Sequence, residues 1–248
     1  MTHAHGAVSA VSVGCMSLHR STLVVTTVLV TAGVVALGGY AYEHADRAVA
    51  SAPGTIPTGT THSAVTVVGD SITAAQGLSP DAAWPVLLGN DLHLDVTDLG
   101  CSAAGFVATG NGQQCATDYD GLVAYTAATD PDVVVVQASS NDLGQDEGTV
   151  RSAIDDMVTD VHKGVPHARV IGLSAVWAEQ DPPAQLAAVD TDLAAAVHGV
   201  HGTFVDVGQP FHGHPELMQS DDVHPTAAGQ RALERATVAA LRKAHVRL

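Results

Sequence analysis

Two short segments, at the two ends of a single domain, carry side chains that could do covalent chemistry. Gly69-Asp70-Ser71-Ile72 follows the apolar run Ala64-Val65-Thr66-Val67-Val68. A β-branched run ending in Gly-Asp-Ser reads as a buried strand that delivers a serine to its carboxyl end, where open α/β sheets bind ligands. A serine hydroxyl is a weak nucleophile until a base takes its proton, and that base needs an orienting carboxylate. Asp221-Asp222-Val223-His224-Pro225 offers both. At this spacing the Asp221 carboxylate can fold back onto one imidazole nitrogen of His224 while the other faces the serine. The pattern predicts Ser71 as nucleophile, His224 as general base and Asp221 as orienting acid. Asp222 is the alternative acid if the loop register is shifted. Pro225 keeps His224 extended, and Thr226 can cap a helix starting near Ala227. The competing reading is a loop whose polar residues only cap that helix.

The elements that must position these residues alternate along the chain. Strands are predicted at 64–69, 94–99, 132–138, 169–175 and 203–207. Helices are predicted near 82–92, 119–128, 149–163, 183–198 and 227–244. The run Val133-Val134-Val135-Val136 suits a strand covered on both faces. Five strand–helix alternations imply an α/β fold, a three-layer α/β/α sandwich around a mainly parallel sheet.

With these residues in place, the chain resembles the SGNH (GDSL) hydrolase family. Its first block matches Gly69-Asp70-Ser71. Its second, a glycine after the second strand, falls within Asp98-Leu99-Gly100-Cys101-Ser102-Ala103-Ala104-Gly105. Its third, Gly-x-Asn-Asp, is matched in part by Ser139-Ser140-Asn141-Asp142, and its last, Asp-x-x-His-Pro, by Asp221 through Pro225. The stretch Ala82 to Pro85 also looks like members of the family. The resemblance spans roughly residues 65–240 and implies the five-stranded, flavodoxin-like sheet of that family. It also implies an oxyanion hole made by the backbone N–H groups of Ser71 and Gly105 and the side-chain amide of Asn141. Either Gly100 or Gly105 can be the second-block glycine; Gly105 is taken because the family's glycine lies beyond the strand. Asp70 and Asp142 are expected to hold loops. Ser139 departs from the pattern, since the family usually has glycine there.

Composition narrows the remaining possibilities. The chain has 248 residues, 46% of them hydrophobic, which is compatible with one ordinary domain and a real core. A net charge of -16 repels phosphate backbones, so nucleic acid is not an expected partner. The stretch 23–41 carries no charged residue and as a helix would rise about 28 Å, close to the hydrocarbon thickness of a bilayer. Arg20 lies before it, and Glu43 and Asp46 after it, which predicts a cytoplasmic amino end and an exported domain. A single-pass anchor is favoured, with a cleaved signal peptide as the competing reading, and Met16 is an alternative start. The domain plan is a cytoplasmic segment at 1–22, the anchor or signal at 23–42, a linker at 43–63 rich in Pro, Gly and Thr, and the catalytic domain at 64–248.

Of the three cysteines, Cys15 precedes the apolar stretch, while Cys101 and Cys115 would face an oxidising exterior. A bridge between them closes a short glycine-containing loop beside the expected oxyanion site, with two unpaired thiols as the alternative. The bridge is expected to support activity more than global stability. His212-Gly213-His214 lies close to the Asp221–His224 segment and raises a metal site as a minor alternative. The preferred reading has no metal and no cofactor. The expected function is hydrolysis of small acyl esters by an extracytoplasmic serine esterase. Acyl transfer or deacetylation on cell-envelope glycans, and a surface-anchored non-catalytic binding protein, are the alternatives.

Overall fold

The computed structural model describes residues 62–113 and 115–248. The expected segments at 1–22 and 23–42, and nearly all of the linker at 43–63, lie outside the described residues. Among the described residues no helix is long and apolar enough to cross a membrane.

Five strands form one sheet: β1 (Ala64–Gly69), β2 (Asp95–Gly100), β3 (Val133–Gln137), β4 (Arg169–Leu173) and β5 (Thr203–Val205). Their order is β2-β1-β3-β4-β5 and every pairing is parallel. Parallel strands need crossovers, and five helices supply them or close the layers: α1 (Trp84–Leu92), α2 (Val123–Ala128), α3 (Glu147–Gly164), α4 (Ala184–Gly199) and α5 (Ala227–Lys243). The fold is the expected three-layer α/β/α sandwich.

The alternation of strand side chains divides the core in two. Val65, Val67, Val133 and Val135 pack with Trp84 and Leu88 of α1 and Leu233 and Leu241 of α5. Val68, Val134 and Val136 face the other way, onto α3 and α4. All five residues of β3 are buried, as a central strand covered on both faces requires. Each such valine stabilises the fold by about 1.5–3 kcal/mol relative to exposure.

Helix α3 shows how the sequence sets a boundary. Asp146 accepts the Thr149 N–H at 2.9 Å, capping the helix. Val150, Ile154, Met157, Val158 and Val161 then recur on one face and are buried. In α5, Thr226 accepts the Gly229 N–H at 3.2 Å as the expected cap. β5 ends at Val205, two residues short of the expected 203–207, because the chain turns away there. Asp206 accepts the Gly208 N–H at 2.8 Å, and Gly208 adopts a positive φ of 71°.

The strand order places β1 and β3 side by side, with β2 on the far side of β1. Their crossovers leave in opposite directions, which opens a crevice at their carboxyl ends. Ser71 follows β1 and Asn141 follows β3, so both segments reach that crevice.

Candidate active site

Ser71 sits in the first turn after β1. Asp70 Oδ1 accepts the Ile72 N–H at 2.9 Å, and the Asp70 and Ser71 carbonyls accept the N–H groups of Ala74 and Gln76, each at 2.9 Å. A Cβ at residue 69 would collide with the Thr73 side chain, so the glycine before Asp70 is required by packing. Thr73 donates in turn to Gln137 Oε1 of β3 at 2.8 Å. Gln230 of α5 donates to the Ile72 carbonyl at 2.8 Å and accepts the Trp84 N–H at 2.9 Å. The serine turn is thereby fixed from both flanks.

The carboxyl-terminal segment meets it from above. His224 Nε2 lies 3.0 Å from Ser71 Oγ, and His224 Nδ1 lies 2.7 Å from Asp221 Oδ2. The other Asp221 oxygen accepts the backbone N–H groups of Val223 and His224 at 3.1 and 3.0 Å. The His224 imidazole and then its backbone N–H hold the Asp221 carboxyl down at about 2. Asp222, the alternative acid, has a positive φ of 55° and lines the cleft, while Asp221 makes the imidazole contact. Gln219 latches the two segments together. Its N–H donates to the His224 carbonyl at 2.7 Å, and its amide donates to the Gln76 and Pro225 carbonyls at 2.8 and 2.9 Å.

The third edge of the site follows β3. Asn141 Nδ2 donates one hydrogen to the Ala104 carbonyl at 2.8 Å. An amide nitrogen has two hydrogens, so one remains for the cleft that Asn141 lines with Ser71. Among the described residues the Ser71 N–H has no acceptor within the protein, which leaves it available to a ligand. Gly105 differs from expectation. Its N–H donates to the Ala108 carbonyl at 2.9 Å, so it is not presented to a ligand. A Cβ at residue 105 would lie 2.5 Å from Asp142 Oδ2. This glycine therefore admits the Asp142 carboxylate, which accepts the N–H groups of Phe106, Val107 and Ala108 at 2.7, 3.0 and 2.9 Å. Gly100 is also engaged, donating to Asp98 Oδ1 at 2.8 Å.

Sequence reasoning missed the part played by Ser139. Its φ is not positive, so nothing in the local backbone demands the glycine of the family pattern. Its hydroxyl contacts Asp70, Ala104 and Asn141 instead.

The cleft has a volume of about 100 Å³ and is lined by Ser71, Ile72, Asn141, Val176, Trp177 and Val223 among others. A larger cavity of about 560 Å³ lies along the edge strand β2, beside Asp98, Tyr125, Cys101 and Cys115, and includes neither Ser71 nor His224. The chemistry belongs to the smaller one, because Ser71 lines it and His224 Nε2 lies 3.0 Å from the Ser71 hydroxyl. Cys101 and Cys115 form a disulfide with their Cα atoms 5.6 Å apart. His212 and His214 turn to other partners, Asp181 at 3.0 Å and Glu216 at 2.9 Å. Among the described residues no group of three or more His, Cys, Asp and Glu side chains is gathered as a metal would need.

A doubly wound parallel sheet brings a serine and a histidine together at its carboxyl edge, an arrangement suited to hydrolytic chemistry. The GDSL-like lipase/acylhydrolase family model matches residues 67–232, and the chain belongs to that family. It is an enzyme acting on carboxylic ester bonds. A GDSL lipase of Mycobacterium tuberculosis, Rv0518, is 25% identical over 181 residues, covering 68% of this chain and 77% of the relative. Among solved structures, the psychrotrophic esterase EstA from Pseudoalteromonas sp. aligns with a TM-score of 0.57 at 16% identity, covering 73% of this chain and 97% of its own. The aryl esterase of M. smegmatis aligns with a TM-score of 0.54 at 16% identity, covering 73% and 99%.

Proposed function

We propose that this protein is an extracytoplasmic serine esterase that hydrolyses small acyl esters through an acyl-enzyme. The observation that carries the reading is the continuous relay from Ser71 Oγ through His224 to Asp221, at 3.0 and 2.7 Å. His224 Nε2 takes the hydroxyl proton as Ser71 Oγ attacks the ester carbonyl. The same proton passes to the leaving alcohol as the tetrahedral intermediate collapses. Water then attacks the acyl-enzyme, His224 again accepting and returning a proton, and releases the acid. Asp221 fixes the Nδ1–H tautomer and stabilises the imidazolium. The Ser71 N–H and the Asn141 amide receive the oxyanion, each donor of this kind contributing about 10²–10³-fold to turnover.

A cleft of about 100 Å³ favours a short acyl group, being smaller than the roughly 300–1,000 Å³ of pockets that hold drug-sized ligands. The Cys101–Cys115 bridge supports an oxidising location, as does the uncharged stretch 23–41 behind Arg20.

Turnover of a chain-length series of 4-nitrophenyl esters tests the reading. Acetate should be hydrolysed faster than octanoate, and Ser71→Ala should abolish turnover without changing the circular dichroism spectrum. A covalent phosphonate adduct on any other serine of the active enzyme would overturn the assignment.

A further inference from the structure

Three loops meet behind the proposed oxyanion site: the serine turn after β1, the loop after β2 and the segment after β3. One side chain touches all three. Ser139 is 1% exposed, so no substrate reaches it. Its Oγ donates to Asp70 Oδ2 at 2.7 Å and lies 3.1 Å from the Ala104 carbonyl, a forked arrangement with the carboxyl on the shorter arm. It also accepts the Asn141 N–H at 3.0 Å.

Each of these partners controls a different part of the site. Asp70 Oδ1 binds the Ile72 N–H and so sets the turn that presents Ser71. The Ala104 carbonyl holds Asn141 Nδ2 at 2.8 Å and thereby aims the remaining amide hydrogen. The Asn141 N–H fixes the backbone from which that amide projects. The nucleophile and the oxyanion donor are thus referenced to the same buried oxygen. Glycine, usual at this place in the family pattern, has no atom that could do this.

We propose that Ser139 is a positioning residue of this esterase, whose hydroxyl holds the Asn141 amide in register with the Ser71 turn. The inference rests on the proposed roles of Ser71 and Asn141. It goes beyond them by assigning the geometry of the oxyanion hole to a residue that takes no part in the chemistry. A misplacement of about 1 Å at such a site can cost about a hundredfold in rate. Because Ser139 acts through Asn141, the two substitutions should not multiply.

The experiment is a double-substitution cycle on the full chain with 4-nitrophenyl acetate, read as kcat and KM separately, with melting temperature alongside. Ser139→Ala should lower kcat about 10–100-fold with little change in KM. Ser139→Gly should do the same, and Ser139→Thr, which keeps the hydroxyl, should restore most of the loss. Asn141→Ala should lower kcat about 10²–10³-fold, and adding Ser139→Ala to it should lower kcat by much less than Ser139→Ala does alone. Unchanged kcat in Ser139→Ala or Ser139→Gly overturns the inference. So do two losses that multiply, or a failure of both hydroxyl-less variants to fold, since each makes the hydroxyl's part structural alone. Ser71→Ala separates the two readings. If Ser71→Ala is dead and Ser139→Ala is unimpaired, only the positioning role falls. If Ser71→Ala still turns over, the proposed catalytic reading falls and the positioning role with it.

Discussion

Removing the disulfide should cost stability far more than activity. Cys101 and Cys115 are separated by 14 positions, and closing a loop of that length stabilises the folded state by about 3 kcal/mol in the chain-entropy model. At about 2–4 °C per kcal/mol for a domain of this size, the melting temperature should fall by about 6–12 °C. The sequence alone favoured the opposite balance, because Gly105 was expected to lend its N–H to the oxyanion. That N–H is spent on Ala108, so the bridge does not act on the chemistry through Gly105. The part of the loop nearest the site has anchors of its own. Asp142 holds residues 106–108 through three N–H groups, and the Gly105 carbonyl accepts the Tyr119 N–H at 2.9 Å. These contacts do not depend on the sulfurs. The assay is kcat for 4-nitrophenyl acetate and a thermal melt, on the native protein and on Cys101→Ala/Cys115→Ala. The double variant should melt lower and retain kcat within a few-fold. A kcat loss of tenfold or more with an unchanged melt would refute the reasoning, and two titratable thiols in the native folded domain would remove its premise.

Two pH effects follow from the carboxylates. Asp221, held at about 2, stays ionised at every pH above about 4, so Asp221→Asn should lower kcat, by up to about 10⁴-fold, throughout that range. Unchanged kcat in Asp221→Asn at neutral pH contradicts this. Burial pushes Asp98 up to about 7, so the folded protein binds a proton there that the unfolded chain releases near 4. Its contribution therefore weakens stability progressively from about pH 4 to 7 and levels off above, by no more than about 4 kcal/mol. Asp98→Asn still accepts the Gly100 N–H and should raise the melting temperature at pH 8 while leaving it nearly unchanged at pH 4. Equal shifts at both pH values refute the titration argument.

The layers were legible in the sequence because they depend on local periodicity. The run from Ala64 to Gly69 begins and ends as its β-branched pattern dictates, and Val133 to Val136 announce a strand buried on both faces. The pairing of Ser71 with His224 was also legible, because each is flanked by residues whose types restrict the turn they sit in. What could not be read was which buried donors are already committed. Gly105 carries no sign that the Ala108 carbonyl will take its N–H. That contact lies in a loop that Asp142, dozens of residues later, gathers. Ser139 was visible as a departure from the family pattern, but its meaning lies in three partners brought together by the sheet. The cap of α3 at Asp146 was missed for a simpler reason. Asp146-Glu147-Gly148-Thr149 offers two capping candidates, and the hydrogen bond to the Thr149 N–H selects the first.

The separation of Ser71 from His224 by 153 positions sets a schedule for biosynthesis. At translation rates of about 5–20 residues per second, the ribosome needs about 8–30 s to add the imidazole after the hydroxyl has been made. Through that interval the nascent chain carries a serine of ordinary reactivity. Gln219, which ties the two ends at the Gln76 carbonyl, also arrives only with the late segment. On the proposed mechanism the chain is therefore inert while it is being made, since the hydroxyl gains its base only after residue 224 has joined the fold.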